Sequence, residues 1–200
     1  IREEYTPKAR TTLAAQAMPD GEAWYREQIR AYTTLDMSPD EIHAIGLKEV
    51  ASIRAEMESI IDTLGFKGHS PQTRFADFLT FLRTDPQFYA KTPQDLLDRA
   101  AWISKRVDGE IGKLIGTLSR GRFAIVEVPP DIAPFWTAGR GGANTYWLNT
   151  YNLPSRPLYN LPALTLHESS PGHSLQQSLV NEQGEVPEFR KQYISAYGEG

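Results

Sequence analysis

The sequence contains no cysteine, no excess of basic residues and no long apolar run. Without cysteine, a disulfide framework, a thiol nucleophile and a sulfur-ligated zinc site are all excluded. The 21 basic and 25 acidic residues leave a net charge of −4, which argues against the basic surface of a nucleic-acid-binding protein. No apolar run approaches the roughly 20 residues of a membrane-spanning helix, so we predict no transmembrane segment. A metal site in this chain must therefore use His, Asp or Glu.

The composition is that of an ordinary folded domain. With 200 residues, of which 40% are hydrophobic and 23% charged, the chain can bury a sizeable core. It begins at Ile1 instead of Met, and its last residues have the pattern of a helix interior. We therefore expect a single domain over residues 1–200, truncated at its C-terminus and at its N-terminus.

Helical patterns dominate the chain before residue 122. Ser38-Pro39-Asp40-Glu41 is typical of a capping box, and it predicts a helix that runs to Leu64. A second start signal at Thr92 precedes an amphipathic stripe that reaches Leu118. Shorter helices are predicted around residues 24–32 and 75–82.

A short β segment separates these helices from the last part of the chain. Residues 123–128 and 145–149 have the β-branched and aromatic composition of strands. Between them, Gly139-Arg140-Gly141-Gly142 lacks the lysine of a phosphate-binding loop and is interpreted as a flexible turn. Helical character returns from Leu161 to about Gly184, and a last helix begins near Pro187. The predicted fold class is mainly α with a small β insertion around residues 122–149.

Two of the four histidines lie close together, in Leu166-His167-Glu168-Ser169-Ser170-Pro171-Gly172-His173. A zinc hydrolase needs two neutral imidazoles, a third ligand, and a carboxylate that accepts a proton from water. Histidines six residues apart point about 120° away from each other on a regular helix. We expect Pro171 and Gly172 to break the helix, with Ser170 as the cap of a new helix that turns His173 back toward His167. Glu168, on another face, is the candidate general base.

The third metal ligand is not determined by this spacing. Glu182, Glu185, Glu188 and Glu199 all follow the histidines. Glu199 is favoured because one helix can end, turn between residues 184 and 187, and be followed by an antiparallel helix that carries Glu199 back. The alternative is that Glu199 is a solvated helix residue.

The histidine segment, with Leu175-Gln176 after it, resembles the H-E-x-x-P-G-H-x-x-Q signature of a large bacterial family. That family has long been catalogued as a domain of unknown function and is grouped with the zincin-like metallopeptidases. The resemblance extends over essentially the whole chain, through segments such as Asn149-Thr150, Leu153-Pro154, Pro187-Glu188-Phe189-Arg190 and Ala196-Tyr197-Gly198-Glu199-Gly200.

The resemblance implies a zincin-like, mostly helical fold of the gluzincin type, with zinc bound by His167, His173 and Glu199. It also implies that Glu168 is the general base, and it favours a periplasmic or secreted location over a cytoplasmic one. Two departures from the family pattern are visible. Ser174 stands where a second histidine often follows, and Arg140-Gly141-Gly142-Ala143 replaces a loop of the Gly-Ser-Arg-Pro-Gly type.

The predicted strand before the histidines supplies candidate substrate contacts. A strand edge beside a metal can bind an extended peptide through main-chain hydrogen bonds, which makes Tyr146 and Asn149 candidate substrate-binding residues. The alternative is that these side chains serve packing. The other histidines, His43 and His69, are interpreted as surface residues.

The function predicted from these features is zinc-dependent cleavage of peptide bonds by a metal-activated water, with Zn2+ as cofactor. Manganese or cobalt could occupy the same ligands. Two alternatives stay open: a catalytically inactive metal-binding or helical interaction module, and a hydrolase of small non-peptide amides. The predicted partner is a peptide substrate and not a nucleic acid.

Overall fold

Helices form most of the structure, a computed structural model that describes residues 1–191. Residues 1–65 belong to one compact unit, and residues 66–191 form another. A small sheet accompanies the helices of the second unit, so the mainly α fold class is confirmed. Within residues 1–191, no helix combines the length and the apolar composition needed to cross a bilayer.

The described part of the first unit contains two α-helices, α1 (Gly21–Thr33) and α2 (Pro39–Thr63). The capping box predicted for α2 is present: the Ser38 hydroxyl accepts a hydrogen bond from the Glu41 N–H, and the Ser38 N–H donates to the Glu41 carboxylate at 2.8 Å. These bonds satisfy two backbone donors that the first turn of a helix otherwise leaves without partners. The predicted start and length of α2 are confirmed.

The second unit contains five α-helices and three strands within the described residues. The helices are α3 (Arg74–Thr84), α4 (Pro93–Asp108), α5 (Leu161–Glu168), α6 (His173–Glu182) and α7 (Glu188–Lys191). The strands are β1 (Ala124–Glu127), β2 (Gly139–Gly141) and β3 (Thr145–Leu148).

Helix α4 ends ten residues before the end of its apolar stripe, at Asp108 instead of Leu118. Gly109, Gly112 and Gly116 follow in quick succession. Each glycine in a helix interior costs about 1 kcal/mol relative to alanine, so the stripe cannot continue as a regular helix. The chain forms a short 3₁₀ turn at Ile111–Lys113 instead.

The sheet has the strand order β1-β3-β2, with β1 parallel and β2 antiparallel to β3. Two expectations are corrected by this order. Residues Gly139–Gly141 form an edge strand and not a flexible turn. The strand that carries Tyr146 is the central one, so its main chain is paired on both sides and is not the free edge expected from the sequence.

One face of the sheet packs against helices α4 and α5. The buried side chains of this core are Ala90, Leu96, Ala100, Tyr146, Leu148 and Leu161. Tyr146 and Leu148 point into it from alternate positions of β3. The core therefore holds α5 beneath the sheet and places the end of α5 beside the edge strand β2.

Truncation of this core should destabilise the second unit. Leu96 is 1% exposed, so Leu96→Ala should lower the free energy of unfolding by about 2–5 kcal/mol through lost burial and a residual cavity. Leu114 is 83% exposed, and Leu114→Ala should change it by no more than about 0.5 kcal/mol. Urea unfolding followed by circular dichroism measures both, and equal effects would contradict the core assignment.

Candidate metal centre

The two motif histidines lie on either side of a helix break. Helix α5 ends at Glu168 and α6 begins at His173, so His167 is in the last turn of one helix and His173 opens the next. The break predicted from Pro171 and Gly172 is confirmed. The new helix starts later than expected, with Gly172 instead of Ser170 at the N-cap position.

Gly172 is required at this break by its surroundings. Its N–H donates to the Leu166 carbonyl at 3.1 Å, so the chain turns back tightly onto the end of α5. A Cβ atom at Gly172 would lie 1.8 Å from the carbonyl oxygen of His167. Any side chain there would force apart the two segments that carry the histidines.

The break brings the two imidazoles and one carboxylate to a common point. The ring centroids of His167 and His173 are 4.7 Å apart, with the rings nearly perpendicular at 80°. One potential metal-ligand atom from each of His167, Glu168 and His173 lies within 4.8 Å of the others. Imidazole nitrogens with a carboxylate oxygen form a donor set suited to Zn2+ and related divalent ions. The residues present therefore fit a metal ion.

Glu168 differs from the two histidines in its environment. His167 is exposed and His173 half-buried, whereas Glu168 is only 7% exposed. Its Oε2 accepts a hydrogen bond of 2.5 Å from the backbone N–H of Gly141 in strand β2. The sequence predicted that Glu168 points to another face of the helix than His167, but the structure brings its carboxylate beside both imidazoles.

Strand β2 approaches this carboxylate through its glycines. A Cβ at Gly141 would lie 2.0 Å from the carbonyl oxygen of Glu168 and 2.7 Å from the Cβ of His173. A Cβ at Gly139 would lie 3.0 Å from the ring of Tyr146. Gly141 is thus a site residue that the sequence interpretation missed. The available signal was the Gly-x-Gly spacing, which places both glycines on one face of a strand.

Tyr146 and Asn149 are both fully buried, so neither side chain lies on an accessible surface. Burial raises the pKa of Tyr146 to about 12, and the negative charge of Glu168 acts in the same direction. The Asn149 side chain donates to the carbonyls of Ala133 at 2.9 Å and Thr137 at 3.0 Å. These contacts correspond to the packing alternative, in which the two side chains support the site from within.

Two candidates for the third ligand, Glu199 and Glu182, have different outcomes. Glu199, the favoured residue, lies outside the described residues. The carboxylate of Glu182 accepts hydrogen bonds from the N–H groups of Arg120 at 2.7 Å and Gly121 at 3.0 Å, so it secures that loop against the end of α6.

His69 lies on the surface, with 91% of its side chain exposed. Its Nδ1 atom is 3.1 Å from a carboxylate oxygen of Asp77.

Comparison with known proteins identifies the family. A model of a bacterial family of unknown function, DUF885, matches residues 1–200. The chain belongs to this family. It is also similar to a crystal structure described as the "putative lipoprotein from Colwellia psychrerythraea", with 26% identity and a TM-score of 0.81 over 92% of the chain. The chain spans only 33% of the length of that protein. A search of curated proteins gives no match.

The contact between β2 and the helix break can be tested with two neighbouring glycines. Gly141→Ala should weaken zinc binding by about 10–100-fold, as loss of a supporting contact around a metal site typically does, because the new methyl group displaces Glu168 or His173. Gly142→Ala is the control, since its Cβ would meet nothing closer than 3.7 Å. Competition with a chromophoric chelator measures the affinities. Equal affinities for the two variants would contradict the close approach.

Proposed function

We propose that this chain forms the metal-binding part of a zinc-dependent hydrolase that cleaves peptide bonds. The observation that carries the proposal is the convergence of His167, Glu168 and His173 within 4.8 Å, at a helix break beside an edge strand. The H-E-x-x-P-G-H-x-x-Q resemblance supports the same assignment. A first-row divalent metal is the ligand that this donor set favours.

In this proposal His167 and His173 bind the zinc ion, and Glu199 is the predicted third ligand. When bound, zinc supplies a Lewis acid that polarises a carbonyl group and lowers the pKa of water. The helix break is what allows the imidazoles to share one ion, because it places them at the end of α5 and the start of α6.

Glu168 is proposed as the general base. Its carboxylate accepts a proton from the attacking water and then delivers that proton to the leaving amine. The Gly141 N–H holds one carboxylate oxygen at 2.5 Å, so the side chain is oriented before substrate binds. Its burial limits competing contacts with bulk water, since only 7% of the residue is exposed.

The outer edge of β2, on the side away from β3, is the proposed binding surface for the peptide. The Asn149 N–H donates to the Ala138 carbonyl at 3.0 Å, which makes this a hydrogen-bonded antiparallel pair. Because such pairs alternate along the ladder, the backbone groups of Gly139 and Gly141 point away from β3. The bond from the Gly141 N–H to Glu168 agrees with this direction. The outward-facing groups of β2 that are not bonded to Glu168, the backbone of Gly139 and the carbonyl of Gly141, can bond to an extended peptide, which favours peptides over small amides.

We further propose that the protein acts outside the cytoplasm. The similar Colwellia psychrerythraea protein is described as a lipoprotein, and the family resemblance favours a periplasmic or secreted location. Peptides of the cell envelope or of the surroundings would then be the accessible substrates.

Substitution of the proposed base should separate catalysis from metal binding. In the full-length protein, Glu168→Gln should keep zinc bound and lower kcat by about 100-fold or more, because an amide accepts the Gly141 hydrogen bond but cannot accept the proton. Zinc is measured by atomic absorption, and cleavage with a library of quenched fluorescent peptides. Unchanged cleavage would overturn the assignment, and parallel loss of zinc would make Glu168 a ligand instead of a base.

Removal of a proposed ligand should act on the metal itself. His167→Ala should lower zinc affinity by at least tenfold and abolish cleavage, because one of the two imidazoles is lost. His43→Ala is the matched control, since His43 is an exposed residue of α2 in the other unit. Undiminished zinc content in His167→Ala would remove the proposed site. Zinc binding without any peptide cleavage by the unmodified protein would favour the inactive metal-binding module.

A further inference from the structure

A cavity of about 380 Å3 adjoins the edge strand on the face of the sheet opposite Tyr146. Its apolar lining includes Val128, Ile132, Trp136 and Trp147, and Arg140 supplies a guanidinium group. The volume is within the range of small-ligand sites. We propose that Arg140 makes this cavity a subsite for a substrate carboxylate next to the scissile bond, an inference that rests on the peptidase function proposed above.

Two side chains that line this cavity, Arg140 and Trp136, carry hydrogen-bond donors without an acceptor among the described residues. The Arg140 side chain is exposed, and its guanidinium makes no hydrogen bond or ion pair within residues 1–191; only its backbone pairs with Trp147. The Nε1–H of Trp136 is buried and has no acceptor within residues 1–191. No acidic side chain is among the described residues that line the cavity. A ligand carboxylate would supply an acceptor for the Arg140 guanidinium, because arginine binds carboxylates through two parallel hydrogen bonds.

The strand geometry connects this cavity to the metal centre. Successive residues of β2 point to opposite faces of the sheet. The Cβ directions of Gly139 and Gly141 face Glu168 and Tyr146, so the Arg140 side chain between them is on the other face, beside its register partner Trp147.

In a peptide that pairs with β2 as an additional strand, successive side chains also point to opposite faces of the sheet. The peptide residue opposite Arg140 directs its side chain toward the cavity, and the residues on either side of it face Glu168. The residue that Arg140 selects is therefore adjacent to the peptide bond that the proposed site cleaves.

Two sources could supply the carboxylate: an Asp or Glu side chain, or the C-terminus of the substrate. The test uses matched peptides that differ only in Asp against Asn at one scanned position, and a second set with a free acid against an amide at the C-terminus. With the zinc-loaded full-length protein, we expect kcat/KM to be about tenfold higher or more for a carboxylate member. The set in which the preference appears identifies the source.

Substitutions that change the charge of Arg140 test whether this residue causes the preference for a carboxylate. Arg140→Gln should reduce the ratio of kcat/KM between the paired peptides to about one, and Arg140→Glu should shift the preference to a Lys peptide. Arg26→Gln, on the exposed surface of α1, should keep the wild-type ratio. An activity-independent measurement uses calorimetry on Glu168→Gln, where the additional Arg140→Gln change should weaken binding of the Asp peptide by about tenfold.

The outcomes separate the two proposals. Cleavage that depends on Glu168 but shows no carboxylate preference overturns the role of Arg140 and leaves the peptidase standing. Binding of the Asp peptide that depends on Arg140, without cleavage of any peptide, supports carboxylate recognition and overturns the peptidase. A preference that survives in both Arg140 variants also overturns the proposed subsite.

Discussion

The backbone of β2 lies directly against the end of α5, and the candidate site depends on this contact. Only a strand without a Cβ at Gly141 can approach the Glu168 carbonyl and the His173 side chain this closely. The approach lets the Gly141 N–H reach the Glu168 carboxylate at 2.5 Å. A backbone amide held in a sheet is a rigid donor, so the carboxylate is oriented by the fold and not by a flexible side chain.

The same strand divides the surroundings of the proposed site between two faces of the sheet. On one face, the glycines of β2 leave room for Glu168 and for the buried ring of Tyr146. On the other face, Arg140 borders an apolar cavity. This division follows from the two-residue period of a strand. The central position of β3 completes it, because a strand paired on both sides cannot offer its own main chain to a ligand.

Short sequence motifs correctly predicted the structural features that depend on interactions between residues close together in the chain. The capping box at Ser38 and the break at Pro171 and Gly172 both depend on residues within one or two helical turns, and both are present in the structure. The end of α4 was misjudged because its apolar stripe continues past Gly109, where helix propensity falls. The strand at Gly139–Gly141 was missed because a three-residue strand rich in glycine has no alternation of apolar side chains to reveal it.

The amino-acid sequence by itself determined the donor chemistry: without cysteine, the clustered His167, Glu168 and His173 were the candidates for metal binding. It also determined that the helix must break between the two histidines, because proline and glycine act through the backbone of their own segment. Only the tertiary structure decided that β2 is the edge strand, that Gly141 holds Glu168, and that Tyr146 and Asn149 are buried. Those features join segments far apart in the chain, and the packing that pairs them has no counterpart in local sequence spacing.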